Sequence, residues 1–431
     1  MSQRADEGLL RVIGPFALAA SIVNVVVGAG IFALPGALAA EVGAAAPLAL
    51  LLSAACIGLV TVCMALAGRQ VARSGGMYAY AEVAFGPFVG FLTGVVCWLS
   101  NVFASAGVAS AVTDTLVTIS PVFSSPWLKG AVLVALYGAF TIVNLRGVRA
   151  GSRTASAAAA IKFTALLVFL VVGVTLVRPE NLVWSQAPSA AALGRSALLA
   201  VFGLSGMEVA LGVSGEVRNP RRTIPLALAV GMTVIVFLYV AVQVVAQGAL
   251  GPQLAQSAAP LAEALTRRGL SGGLLISIVA LISMCGWITG DLLGSPRILF
   301  AFARDGLLPS PFAKVHPRFH VPHVSIIAHA IVACSLALTG TFRVFAILAS
   351  ISSVVLYIAC CAAAWRLSHT EARAAGRSTG FVGTAVPVLA VVGQFWMLSY
   401  SSSGEILAIA GVIAVAAAVY LARTGLRRVP T

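Results

Sequence analysis

Runs of about twenty apolar residues, separated by short basic or glycine-rich connections, recur along nearly the whole chain, and they decide what it can fold into. A helix needs about twenty residues to cross the ~30 Å hydrocarbon layer of a bilayer. The runs fall at 13–38, 44–68, 84–116, 127–145, 155–177, 194–215, 224–248, 271–302, 324–341, 343–366, 384–401 and 405–422. Only 9% of the 431 residues are charged and 60% are hydrophobic. A water-soluble domain carries about 25% charged residues and could not be covered with so few. Alternation of apolar and polar residues, the mark of a transmembrane barrel, is absent. The expected fold is an all-α integral membrane protein with about twelve transmembrane helices in one domain spanning 1–431.

The formal charge of +14 would point to nucleic acid in a soluble protein. Here the basic residues fall in alternate connections, which points to the positive-inside pattern and to no nucleic-acid partner. One side collects Arg4, Arg11, Arg69, Arg73, Arg146, Arg149, Arg153, Arg218, Arg221, Arg222, Arg304, Lys314, Arg318, Arg366, Arg373, Arg377, Arg423, Arg427 and Arg428. The other keeps Lys129, Arg178, Arg195, Arg267, Arg268 and Arg343. Both termini are therefore expected in the cytoplasm, with the chain in the plasma membrane, the inner membrane of a bacterium. The first run continues through a glycine-rich break rather than ending at a small-residue cleavage site, so no cleaved signal peptide is expected. The seven cysteines lie inside apolar runs without metal-ligand spacing and read as packing residues, and no metal or cofactor is expected.

Helix breakers sit in the middle of two of the runs. The first reads S-I-V-N-V-V-V-G-A-G-I-F-A-L-P-G, with Gly28 and Gly30 flanking Ala29; the sixth reads L-L-A-V-F-G-L-S-G-M-E, with Gly203, Ser205 and Gly206. Glycine costs about 1 kcal/mol relative to alanine inside a helix. Broken backbone is tolerated at membrane depth only where it faces protein or a cavity. Two interrupted spans, five helices apart, point to an inverted repeat, residues 13–178 against 194–366, with the helices of 384–422 appended. The plainer alternative is that these glycines only let helices pack closely.

Four further segments carry a family resemblance: G-A-G-I-F-A-L-P-G at Gly28–Gly36, R-S-G-G-M-Y-A-Y-A-E-V-A-F-G-P at Arg73–Pro87, G-M-E with G-E-V-R-N-P-R-R-T-I-P across Gly206–Pro225, and S-P-R-I-L-F-A-F-A-R-D-G-L-L-P at Ser295–Pro309. In this order they resemble the amino acid–polyamine–organocation transporters. The resemblance implies a LeuT-type fold: a five-plus-five inverted repeat, helices 1 and 6 broken, two helices added at the C-terminus. It implies a secondary transporter, not an enzyme, moving an amino acid or polyamine by alternating access, with a proton as the possible coupling ion and a monomer or homodimer as the unit. Exchange or export, and a non-transporting sensor, are the alternatives.

A broken helix suits such a ligand, because its free amides meet a carboxylate and its free carbonyls meet an ammonium. By resemblance, the amides of Ala29 and Gly30 hold the carboxylate and the carbonyls of Val26, Phe202 and Ser205 hold the amino group. Gly28, Gly30 and Gly206 allow the close approach, and Phe202 stands where the family often has an aromatic gate, or packs as an ordinary core residue. Ionisable groups inside a membrane are costly and therefore informative. Lys162 matches a lysine that replaces a sodium ion in sodium-independent relatives, which implies proton coupling or a fixed charge; snorkelling to the interface is the alternative. Glu208 follows the second break and is a candidate proton carrier, whereas Glu216 reads as structural beside Arg218 and Arg221. Asp291 departs from the bulky residue of some relatives. It is expected either to select a cationic substrate or to form an internal salt bridge, for example with Arg297 or Lys162. Among the histidines, His316, His320 and His323 share a loop, while His329 and His369 stand alone. No phosphate loop, catalytic triad or zinc-protease motif supports an enzyme, and no repeated filter supports a channel.

Overall fold

The computed structural model describes residues 13–71, 76–146, 148–184, 186–211, 217–266 and 273–426. Arg4, Arg11, Arg73, Glu216, Arg267, Arg268, Arg427 and Arg428 lie outside the described residues, as do the side chains of Arg149 and Arg153. Among the described residues the structure is helical, with one isolated bridge pairing Ile13 and Val217. Among the described residues ten helical segments are long and apolar enough to cross a membrane, and two further apolar helices, Pro15–Val26 and His323–Ala337, are shorter. Large apolar side chains such as Phe237, Val171, Phe381 and Leu407 remain exposed on the outside of the bundle, the surface that lipid covers.

In chain order the helices are α1 (Pro15–Val26), α2 (Gly30–Val42), α3 (Ala46–Gln70), α4 (Gly76–Phe85), α5 (Pro87–Ile119), α6 (Pro126–Leu145), α7 (Val148–Gly173), α8 (Ala190–Leu204), α9 (Met207–Ala210), α10 (Pro220–Leu250), α11 (Pro260–Thr266), α12 (Gly273–Gly294), α13 (Pro296–Arg304), α14 (His323–Ala337), α15 (Phe342–Ala374), α16 (Phe381–Leu398) and α17 (Ser403–Leu426). Two apolar runs that hydropathy joins are divided. Residues 84–116 straddle a turn at Gly86, whose φ of 90° ends α4 before Pro87 opens α5. Residues 271–302 part at Ser295, where Pro296 begins the separate helix α13.

Helix α5 packs most extensively on α15, and α7 on α12. Helix α1 lies on α10, α3 on α8, and α3 also on α10. Small residues permit these approaches, since lipid tails give no hydrophobic drive between helices. A methyl at Gly107 would come within 3.3 Å of Phe345 Cβ, and the Ser100 hydroxyl lies 2.8 Å from that of Ser353. Ion pairs clasp the periphery: Arg195 binds Glu405 through both nitrogens (2.7 and 2.5 Å), joining α8 to α17, and Arg343 binds Glu41, joining α15 to α2.

Candidate substrate site between two broken helices

The first break follows from local chemistry. Helix α1 stops at Val26, the Gly28 amide turns back to the Val26 carbonyl at 2.7 Å, and α2 restarts at Gly30. In the second, α8 stops at Leu204, Ser205 is extended, and Gly206 takes a φ of 116° before α9 begins. The breaks face each other closely: a methyl at Gly30 would lie 3.2 Å from the Gly203 Cα. Only glycine adopts the Gly206 backbone without strain of about 1–3 kcal/mol. Gly206→Ala is accordingly expected to lower the melting temperature of the detergent-solubilised protein and to depress uptake, both measurable on one preparation.

A small cavity of about 40 Å³ lies between the breaks. Val26, Gly28, Ala29, Gly30, Phe202, Ser205, Gly206 and Glu208 all line it, so eight of the ten residues singled out above share one space. The Val26 carbonyl also accepts from the Tyr239 hydroxyl at 3.3 Å, and the Phe202 carbonyl from the Ser205 hydroxyl at 3.3 Å. The Phe202 ring packs edge-on against Phe342, with centroids 5.4 Å apart. Glu208 is buried; one of its oxygens accepts from the Gly206 amide at 3.1 Å and from the Tyr357 hydroxyl at 3.3 Å.

Lys162 is buried on α7 and its ammonium reaches the first break. It donates to the Asn24 carbonyl (3.0 Å), the Asn24 side-chain oxygen (3.1 Å) and the Val27 carbonyl (2.5 Å). Three acceptors match the three hydrogens of an ammonium, and two of them are backbone groups that an unbroken helix would have consumed. The side chain thus turns inward to the break and not toward a membrane surface.

Lys162 and Asp291 line a second cavity, of about 160 Å³, whose wall shares Val25, Asn101, Val209 and Trp287 with the first. One face of α12 supplies Ser283, Gly286, Trp287, Gly290, Asp291 and Gly294, at the three-to-four spacing of a helix. Gly290 leaves open space where a side chain would stand, and the Ser283 hydroxyl has no hydrogen-bond partner among the described residues. The Trp287 indole lies where a methyl on Gly28 would be 2.6 Å from its Cδ1, so it stands between the two spaces. Among the described residues the ion partner of Asp291 is His329 at 2.8 Å, neither Arg297 nor Lys162, and Ser295 donates to its other oxygen at 2.5 Å.

Asn24 and Trp287 belong to these walls, and Trp98 and His329 stand in a hydrogen-bond chain behind Asp291, although no motif marks them. Trp287 and Asp291 do share a helix face at i and i+4, a signal readable within W-I-T-G-D. His329 is a lone imidazole in an apolar helix; only the fold supplies its partners. No group of three or more potential metal ligands occurs among the described residues.

Two facing helix breaks inside an apolar bundle, with a tethered ammonium on their carbonyls, define the architecture of a multi-pass membrane carrier. The family model described as "Amino acid permease" matches residues 13–422, and the chain belongs to that family. It is similar over 94% of its length to a methylthioribose transporter of Bacillus subtilis, at 28% identity and covering 91% of that protein. An uncharacterized transporter of Mycobacterium tuberculosis is 31% identical over 94% of this chain and 88% of its own length. Cationic amino acid transporter 4 of Mus musculus is 30% identical over 77% of this chain and 55% of its own length.

Proposed function

We propose that this permease is a sodium-independent secondary transporter of amino acids, working by alternating access, in which Lys162 takes the place of a bound ion. The observation that carries the reading is the tripod of hydrogen bonds from Lys162 to Asn24 and Val27. A cation at that position holds the free carbonyls of the first break together. The amides opening α2 are then left for the substrate carboxylate, and the carbonyls of the second break for its amino group. The cavity of about 40 Å³ is small for such a ligand, so binding requires the breaks to separate.

The side chain of the substrate extends past Trp287 into the second cavity, where Asp291 favours a cationic end. The murine relative, a cationic amino acid transporter by name, supports this choice. Glu208, bound to the amide of the second break, is the candidate proton carrier of the cycle. Twelve crossings arise when each interrupted helix is counted once. The five-plus-five repeat finds support in the packing: moving five crossings along turns the α5–α15 contact into α12–α7, and α1–α10 into α8–α3. A plasma-membrane location with both termini inside accords with the acids that pair Lys129, Arg195 and Arg343 on the opposite face.

The test is uptake into proteoliposomes of radiolabelled arginine, lysine, leucine, putrescine and methylthioribose, in sodium and in choline, with and without a proton gradient. Saturable amino acid uptake, equal in the two salts, is expected. Uptake that requires sodium, or a flux that does not saturate, would overturn the proposal. Asp291→Asn is expected to lower arginine and lysine uptake about tenfold relative to leucine, the worth of about 1.4 kcal/mol of ion pairing.

A further inference from the structure

Asp291 is the end of a buried hydrogen-bond chain that joins three helices. The Trp98 indole nitrogen on α5 lies 3.1 Å from His329 Nδ1 on α14; His329 Nε2 lies 2.8 Å from one Asp291 oxygen on α12; and Ser295 Oγ lies 2.5 Å from the other. His329 is fully buried. The direction of both His329 bonds is fixed by one member, because an indole N–H can only donate. His329 Nδ1 must therefore carry a lone pair, its one proton sits on Nε2, and that proton is donated to Asp291. One oxygen of Asp291 thus accepts from His329, and the other meets the Ser295 hydroxyl.

One more proton cannot be added just anywhere along this chain. On His329 Nδ1 it would oppose the Trp98 N–H donor to donor and leave a buried polar group unmet, a cost of about 1–3 kcal/mol. On Asp291 it costs no bond, because a hydroxyl both donates and accepts: Ser295 turns its hydrogen away and accepts from the new carboxyl hydrogen. The chain thus holds one oxygen of Asp291 fixed from behind and leaves the other free to be protonated or not, on the wall of the cavity that also holds Lys162.

We infer that Asp291 is a proton-binding site on the substrate path, occupied in turn by a proton and by the cationic end of the substrate, and that His329 and Trp98 are positioning residues that set when the proton leaves. The inference rests on the reading of the second cavity as the place of the substrate's side chain. The other ionisable groups on elements packed here are Lys162 from α7, Glu208 from α9, held at the second break by the Gly206 amide and the Tyr357 hydroxyl, Tyr137 from α6 with its hydroxyl bound to Ser105, Cys285 on α12 itself, Cys334 from α14, exposed Arg297 from α13, and Cys97 from α5. Lys162 is committed to the first break, and the only charged residue of α5, Asp114, lies toward its far end. The acid binding the competing cation is therefore Asp291. The proton comes from and returns to water in the cavity, with no other bond made or broken.

Two measurements test this. Infrared difference spectra of the protein in liposomes read the carbonyl stretch of protonated carboxyls without any need for transport. The expected result is a band that titrates with pH, vanishes when arginine is added, and is missing from Asp291→Asn. The inference is overturned if no arginine-sensitive band is lost in Asp291→Asn; a band from Glu208, common to both proteins, cancels in the comparison. Second, the KM for arginine is expected to rise as the pH falls, approaching about tenfold per unit in the acid limit of competition with one proton, with little change in maximal rate. His329→Leu, which removes the donor to Asp291, is expected to move this profile along the pH axis. His329→Gln keeps an N–H toward Asp291 and a carbonyl toward Trp98, and is expected to restore the profile. A profile unmoved by His329→Leu overturns the positioning role. Failure of the wild type to take up any amino acid would instead sink the transport reading, while the infrared result would still decide whether Asp291 exchanges a proton for arginine.

Discussion

Lys162→Ala is expected to reduce amino acid uptake by roughly a hundredfold and to do so equally in sodium and in choline. The ammonium makes three hydrogen bonds to buried acceptors of the first break. Bonds to a charged group contribute about 1.5–3 kcal/mol each, against which stands the cost of taking the ammonium out of water. A net loss on the order of 3 kcal/mol remains, which is about a hundredfold in the population of the assembled break. Removing the side chain leaves the Asn24 and Val27 carbonyls facing one another across an empty position. Lys162→Met, which keeps most of the stem, is expected to fail as badly, because charge and donors matter here more than volume. Near-normal transport by either variant in liposomes would remove the basis of the proposed mechanism.

The second large effect is expected at Gly28. A methyl there would sit 2.6 Å from Cδ1 and 2.9 Å from Nε1 of Trp287, the body of a rigid ring and not the tip of a flexible chain. The indole must leave its place between the two cavities or the first break must shift. Overpacking of this kind costs about 1–3 kcal/mol, so Gly28→Ala is expected to lower uptake roughly five- to hundredfold. Trp287→Leu added to Gly28→Ala opens the space again and should recover part of the loss, while alone it should weaken discrimination between long and short side chains. A double variant no better than Gly28→Ala would show that the backbone of the break, and not the ring, is what the methyl disturbs. Competition assays with leucine and alanine against arginine read both effects.

The legible part of this molecule is the part governed by short-range chemistry. Apolar length and glycine clusters are local signals, and the helix ends at Val26 and Leu204 fall at the two clusters. The eight residues drawn from those clusters line one cavity. The divisions at Gly86 and Ser295 were also written locally, as G-P and S-P, but an average over a window of hydropathy passes across them. The walls contributed by other helices are a different matter. Asn24 reads as an ordinary buried amide until Lys162, far along the chain, is folded onto it. His329 reads as an isolated histidine until α14 is laid against α5 and α12. Asp291 is an intramembrane acid that demands a partner, yet nothing near it in the chain distinguishes His329 from Arg297. Such pairings arise from helix packing, where small residues fix the approach but do not announce which helix will fill it.

The tether at Lys162 also bears on the electrical behaviour of the carrier. A dissociable ion on those carbonyls would be carried across with each turnover and would contribute its charge to a current. An ammonium on a side chain remains with the protein and returns with it. Any net current that accompanies a neutral amino acid should therefore be carried by protons and not by sodium. Any current that a cationic substrate generates should reverse at a voltage set by the substrate and proton gradients alone, unmoved when sodium is replaced.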